Sequence, residues 1–422
     1  MIRVNHWQET KLMLFAPAFL AVGLLILNVG VQPPIGRQSV ILALLAGTAL
    51  FVTGQIIRLL RPRADKYLYM MAAMLSVVGL VLLFRLAPDY AARQIYWLLT
   101  GLFCFLVTAG GLKDYKQLEE YKYIYILGGL AALLATILFG VEVGGARSWV
   151  AIGSFRMQPS ELVKIMLVIF LASYLNEQRE MLTVGRKGFL GVSWPGLQYL
   201  GPLLVMWGFS LVLLIFQKDL GTALIFFGTF LAMIYGATGR WSYVVSGIIL
   251  FAAGAVLCYF FFAHVRLRVA VWVNPWIDIE GAGYQIVQSL FAIGSGGLLG
   301  TGLTAGRPAL IPAVHTDFVF SAVAEEFGLF GGMALILLYL LMVYRGFKIA
   351  LDSGTGFGTL LAAGLTSLLA IQTVVIIGGV TKLLPLTGVT LPFISYGGSS
   401  LVSSYILLGL LVNISQKDRD IR

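Results

Sequence analysis

Charge is what this chain has least of: Asp, Glu, Lys and Arg together make up 11% of 422 residues, against about a quarter in soluble domains. That shortage, with 59% hydrophobic residues and a mean hydropathy of +0.91, excludes a soluble globular protein and leaves a polytopic membrane protein. Acidic residues are scarcer than basic ones, 19 against 29, for a formal net charge of +10. The excess does not point to nucleic acid, because the basic residues fall in short loops between apolar runs, as membrane topology requires. Cysteine is nearly missing. Cys104 and Cys258 both lie in apolar runs and share no metal-type spacing, which excludes a disulfide framework and a thiolate site. The Gly-rich run AIGSGGLLGTGL at 292–303 lacks both GxxxxGK[ST] and GxGxxG, so it is suited to tight turns and close backbone approach rather than to a nucleotide. The first apolar run ends in QPP without a small-residue cleavage pattern, and reads as a retained span rather than a signal peptide.

What the chain has instead is apolar runs of the length needed to cross a bilayer, about 20 residues each. Twelve are predicted as transmembrane helices: 12–31, 39–60, 67–86, 95–112, 122–141, 161–176, 197–216, 221–238, 243–265, 318–344, 357–380 and 399–415. Most of the 29 Lys and Arg fall on one side if both termini are cytoplasmic, and the positive-inside rule selects that orientation. Three connections, 142–160, 266–317 and 381–398, are then expected on the outer face. The longest is too short for an ordinary independent domain, so the chain is read as one all-α membrane domain with a large outer loop at 266–317.

Carboxylates within spans need a partner or a wet cavity, since a charge at the bilayer centre costs about 2.5–3.5 kcal/mol on insertion scales. Glu161 and Lys164 in QPSELVK are three apart and share a helical face. Asp219 follows Lys218 in QKDLGTA, and Asp317 opens a span in HTDF. Ser160 with Glu161, and Thr316 or Asp317, also suit helix starts. Glu325 and Glu326 lie too deep in their helix for that, and are expected to pair with Arg or Lys from another span or to line a polar cavity. His315 and Asp317 are two possible metal ligands where zinc sites gather three or four, so a polar helix start is the better reading.

Five motifs follow in order: GGARSWVAIGSFRMQPSELVK, QKDLGTA, NPWIDIEGAGYQIVQSLFAIGSGGLLGTGL, IPAVHTDFVFSAVAEEFGLFGG and LPLTGVTLPFISYGGSSL. Together they resemble the SEDS family of shape, elongation, division and sporulation proteins (RodA, FtsW and SpoVE) over about residues 67–415, with IPAVHTDFVFSAVAEE leaning to the RodA side and TGVTLPFISYGGSS equally similar to FtsW. The resemblance implies a ten-helix core at 67–422, so that the helices at 1–66 are an additional N-terminal pair and a candidate for partner contact. It implies a peptidoglycan glycosyltransferase of the bacterial cytoplasmic membrane that polymerises lipid II, the undecaprenyl-diphosphate-linked disaccharide-pentapeptide. Such enzymes act on the outer face during cell elongation or division, usually beside a class B penicillin-binding protein. The family's essential acid in the outer loop, N-P-x-x-D, matches Asp278. Lys218 departs from the family, which commonly has proline there.

Joining an α-linked donor into a β-1,4 bond inverts the anomeric carbon, so one base must take the acceptor proton as the diphosphate departs. Asp278 is the candidate base. Arg147 and Lys164 are chosen to hold the diphosphate, with Glu161 orienting Lys164. Asp219, Tyr284, Gln285, His315, Asp317 and Ser395, all in matching motifs, complete the expected substrate contacts. Trp276 and Tyr284 suit sugar faces or anchoring at the interface, and Gly281 and Gly283 are expected to let the loop move. A divalent cation, magnesium or manganese, is compatible with such a site through phosphate oxygens, but no residue pattern demands it. Two other classes fit the composition equally: a flippase or transporter of lipid-linked precursors, with its site near the midplane, and a non-catalytic scaffold.

Overall fold

The computed structural model describes residues 6–30, 36–143, 146–153, 155–183, 186–187, 193–194 and 197–417. The QPP after the first run, Gly144, Gly145 and Ser154 of the first motif, and the two termini assigned to the cytoplasm lie outside the described residues. The helices in chain order are α1 (His6–Gly30), α2 (Arg37–Leu60), α3 (Tyr67–Leu86), α4 (Pro88–Leu106), α5 (Gln117–Glu120), α6 (Lys122–Phe139), α7 (Ser160–Glu177), α8 (Arg179–Thr183), α9 (Leu197–Phe216), α10 (Leu220–Thr238), α11 (Trp241–Phe261), α12 (Ala263–Val273), α13 (Tyr284–Gly296), α14 (Val319–Asp352), α15 (Gly356–Val380) and α16 (Gly398–Lys417).

All twelve predicted spans fall on helices. Among the described residues, ten helices are long and apolar enough to cross a membrane. The other two are α7, which carries Glu161, Lys164 and Glu177 within its 18 residues, and α9, of which Trp207–Phe216 forms a shorter apolar stretch. The segment 142–160, expected only as a connection, folds into an antiparallel sheet of β1 (Val141–Val143), β2 (Ala146–Ile152) and β3 (Phe155–Met157), in that order. Val150 pairs with Met157 and Ala151 with Arg156.

The chain divides into two compact units. The first comprises Met1–Lys113, Leu267–Arg345 and Gln372–Lys417. Within it, small residues let backbones approach, as is usual between membrane helices. A Cβ at Gly398 would lie 2.1 Å from the Trp97 ring, and one at Gly409 would lie 1.9 Å from Thr108 Oγ1, so α16 sits directly on α4 and the π-helical turn Val107–Gly111 that continues it. That turn frees backbone carbonyls which lipid cannot satisfy. Arg61 donates to Ala109 O at 2.8 Å and to Leu112 O at 2.6 Å, and Asn413 donates to Leu112 O at 2.7 Å. The additional pair is held together by polar contacts: Arg58 Nη1 of α2 donates to Thr10 Oγ1 of α1 at 2.7 Å, and Lys66 Nζ, just before α3, donates to both oxygens of the buried Glu9 of α1 at 3.0 Å.

The second unit comprises Asp114–Arg266 and Gly346–Ile371. It is built on α6, α7, α9 and α10, with the small sheet packed against α6. Gln217, at the end of α9, donates to Leu133 O of α6 at 2.8 Å and accepts the Arg147 amide of β2 at 3.1 Å, so three elements share one side chain and its backbone.

Candidate active site

Asp278 ends a short 3-10 turn, Pro275–Asp278, that the sequence specifies locally. Asn274 caps the turn by accepting the Trp276 amide at 3.2 Å, and Pro275 occupies its first position, where its fixed φ and missing N–H suit a helix start. The chain then folds back on the aspartate. The Ala282 amide donates to Asp278 Oδ2 at 2.8 Å and the Gly283 amide to Asp278 O at 3.0 Å. Asp278 is exposed, and Oδ1 takes no hydrogen bond from a described residue.

Gly281 and Gly283 allow close approach of the backbone. A Cβ on Gly281 would lie 2.4 Å from Asp278 Oδ2, and one on Gly283 would lie 2.1 Å from Pro275 O. Neither glycine has positive φ. Tyr284 and Gln285 open α13 and are half-buried. Trp276 is exposed and meets Phe291 of α13 edge to face, with centroids 5.8 Å apart.

The Gly-rich run leads from α13 back to α14. Gly297, Gly300 and Gly302 take φ of 55°, 86° and 99°, as its composition predicts. Here α14 is broken at Gly328, which has φ 68°, and the run supplies the missing partners. The Thr301 and Gly302 amides donate to Glu325 O and Glu326 O at 2.9 and 3.0 Å, and the Leu329 amide donates to Gly297 O at 2.9 Å. The two carboxylates at the break are paired. Glu325 Oε1 accepts the Arg307 amide at 2.6 Å; Glu326 Oε1 accepts the Thr304 amide at 3.2 Å and faces Arg85 Nε at 3.4 Å. The expectation of pairing with a cation from another span is met for Glu326 by Arg85 of α3, whereas the bond to Glu325 comes from a backbone amide.

His315, Asp317 and Ser395 come together where 313–317 meets 391–396. Ser395 Oγ donates to Thr316 O at 2.5 Å and accepts the Leu391 amide at 2.9 Å. The Tyr396 amide donates to His315 O at 2.8 Å. The His315 ring stacks on Tyr90 at 4.9 Å, and Tyr396 packs against both. Burial lowers the His315 pKa and pushes the Asp317 carboxyl up to about 6, against the pull of the Thr316 hydroxyl and of Arg268. No group of three or more His, Cys, Asp or Glu suited to a metal occurs among the described residues.

The second unit gathers Glu161, Lys164 and Asp219. Lys164 Nζ pairs with Glu161 Oε2 at 2.6 Å and both side chains are buried. Ser160 does not cap α7: its hydroxyl is buried and has no partner among the described residues. Asp219 does cap α10, accepting the Thr222 amide at 3.1 Å, the Thr222 hydroxyl at 2.8 Å and Gln158 Nε2 at 3.0 Å. Burial raises its pKa, and the Thr222 bonds pull it down. Lys218 has φ 61°, which proline, held near −65°, cannot adopt. Proline would therefore require a different backbone at this position, and Asp219 is the cap in the one found here. Arg147 spends part of its fork on the end of α6, with Nε donating to Gly140 O at 2.8 Å and Nη2 to Leu138 O at 3.4 Å.

Sequence reasoning did not single out Gln158, Thr222, Arg85, Tyr90 or Tyr396. Gln158 and Tyr396 stand inside quoted motifs, and Arg85 is the basic residue at the end of the third span, so position alone was a usable signal for these three.

The helices and the buried charges near their ends define a polytopic α-helical membrane protein with folded polar segments between its spans. Residues 64–420 match the cell cycle protein family of FtsW, RodA and SpoVE, and the chain belongs to that family. It is similar to the peptidoglycan glycosyltransferase RodA of Mycobacterium bovis, with 44% identity covering 86% of this chain and 80% of that protein. It is also similar to stage V sporulation protein E of Bacillus subtilis, with 33% identity covering 84% and 98%. Among solved structures, it resembles a chain of a peptidoglycan synthase complex that coordinates polymerization and crosslinking, with TM-score 0.70, 29% identity, and 85% and 98% coverage.

Proposed function

We propose that the chain is a peptidoglycan glycosyltransferase of the RodA kind that polymerises lipid II on the outer face of the bacterial cytoplasmic membrane, with both termini inside. The observation that carries the residue assignment is the Asp278 turn: the Ala282 amide bonds one carboxylate oxygen, Gly281 packs against the carboxylate and the Gly283 amide bonds the Asp278 carbonyl, which leaves one carboxylate oxygen over. A fixed acceptor of this kind is what a general base requires.

In the proposed step the acceptor 4-hydroxyl attacks the anomeric carbon of the donor sugar. Asp278 takes the hydroxyl proton, the new β-1,4 C–O bond forms, and the bond to the undecaprenyl diphosphate breaks with its electron pair leaving on the phosphate oxygen. A diphosphate is already a good leaving group, so no second carboxyl group is needed to protonate it, unlike in a glycosidase. Lys164 supplies positive charge for the diphosphate, held in place by Glu161, and Arg147 adds the part of its fork not bonded to α6. Tyr284, Gln285, His315, Asp317, Asp219 and Ser395 are substrate-contact or shaping residues in this account. No step is routed through a metal ion.

The transpeptidase partner is a class B penicillin-binding protein, docked through lipid-facing helices, with the exposed apolar side chains of α1 and α2, such as Phe15, Leu25 and Leu59, as candidates. Purified protein incubated with labelled lipid II, with and without that partner, is expected to give a ladder of glycan strands. Transfer of lipid II across vesicles without a ladder would favour the flippase reading, and binding without either activity would favour a scaffold.

A further inference from the structure

Thr304 combines two features that rarely coincide. It is β-branched, and its φ is 82°, a backbone conformation that L residues avoid and branched ones avoid most. Such strain persists only where the surroundings over-determine it.

Three contacts surround Thr304. Its amide donates to Glu326 Oε1 at 3.2 Å and its carbonyl accepts from Arg85 Nη2 at 3.3 Å, so its backbone stands between the two halves of the ion pair at the α14 break. The third contact comes from the far end of the sequence. A Cβ on Gly30, the last residue of α1, would lie 2.4 Å from Thr304 Oγ1 and 3.2 Å from its Cβ. The helix is itself set closely against α3, where a Cβ on Gly23 would lie 2.7 Å from the Val81 side chain, and α3 is the helix that carries Arg85. Gly30 lies outside the family-matching residues 64–420.

We infer that Gly30 and Thr304 are positioning residues: the end of α1 holds Thr304 in its left-handed conformation and so keeps the Gly-rich run clamped between Arg85 and Glu326 at the break in α14. The added N-terminal helix is therefore a brace for the outer loop. The brace reaches Asp278 through α13. That helix is fixed at its middle by Ser289 Oγ, 2.8 Å from Val380 O and 2.7 Å from Ser321 Oγ. At its start it is joined to the aspartate turn by the Tyr284 amide bonding Gly281 O and the Val287 amide bonding Gly283 O, at 3.2 and 3.0 Å. A shift of the run at its C-terminal end tilts α13 and moves the carboxylate.

The consequence for turnover rests on the glycosyltransferase reading; the contact itself does not. The test compares full-length wild type, Gly30→Val and the double variant Gly30→Val with Thr304→Gly, each purified with its lipids. Two readouts are taken, lipid II polymerisation and amide hydrogen exchange over 300–306. Gly30→Val is expected to speed exchange in that segment and to lower kcat about tenfold or more, as expected for a misplaced reacting group, with KM for lipid II unchanged. The double variant is expected to recover both, because glycine accepts positive φ and leaves room for the valine. Should Gly30→Val fail to fold, Gly30→Ala, whose Cβ alone meets Thr304, carries the same comparison. Unchanged exchange and turnover in the folded variant would overturn the proposal, as would a defect that Thr304→Gly does not relieve. If the wild type itself makes no glycan, the glycosyltransferase reading fails, and exchange over 300–306 still decides the brace.

Discussion

Gly281 lies against the carboxylate of Asp278, so close that a Cβ there would sit 2.4 Å from Oδ2. The glycine is thus part of how the acid is aimed, and Gly281→Ala must either move the carboxylate or reshape the turn. A displacement of about 1 Å can cost on the order of 100-fold in rate. The variant is expected to fold with an unchanged melting temperature and to lose at least tenfold in kcat, measured by lipid II polymerisation.

The ion pair at the α14 break should show the asymmetry of buried charges. Removing one partner strands the other, at about 3–5 kcal/mol, while replacing both is far milder. Glu326 is buried and its Oε2 has no hydrogen-bond partner among the described residues, so it depends on Arg85 and the Thr304 amide. Arg85→Met is therefore expected to lower the melting temperature in detergent more than the double variant Arg85→Met with Glu326→Gln. A double variant no more stable than the single one would contradict this.

Asp317 should make stability depend on pH. Its carboxyl is raised to about 6 by burial, above the unfolded value of about 3.9, so the folded state binds the proton more tightly. The resulting stabilisation is fully present below about pH 4 and is lost as pH rises through about 6. Asp317→Asn removes this dependence. Relative to the wild type, the variant is expected to gain stability between pH 5 and pH 8, read as the difference in melting temperature at the two values.

Lys218→Pro restores the residue common in the family but forbids the φ of 61° found here. The Asp219 cap and the Gln217 bonds to Leu133 and Arg147 flank this position. Proline at a position whose φ it cannot adopt destabilises by more than about 1 kcal/mol, and the variant is expected to melt earlier. Equal melting would mean that the loop adopts the family's backbone at no cost.

The spans were legible because hydropathy is local: each apolar run falls on a helix, including α7 with its three charges. The pairing of Glu326 was legible for the same reason that it costs energy, since a carboxylate inside a span must find a cation. The turn that carries Asp278 was legible in part, because its Asn-Pro start carries its own physical signal. Other features depend on contacts distant in sequence. The break in α14 at Gly328 looks from the sequence like one more membrane glycine, and it becomes a break only because the run at 297–302 supplies partners for its backbone. The stacking of Tyr90 on His315 joins residues 225 positions apart. Strand β2 is short and apolar on a chain where apolar runs signal helix. Lys218 gave no sign of its left-handed backbone, because lysine has no preference for it.

If Asp278 is the general base of glycan polymerisation, the lipid II turnover of Asp278→Asn, measured beside wild type under identical conditions, must show it. Asparagine keeps an oxygen to accept the Ala282 amide but cannot take a proton from the acceptor. Turnover is expected to fall about 10²–10⁴-fold, with lipid II binding and melting temperature retained. Turnover within a few fold of wild type would contradict it and pass the role of base to another residue.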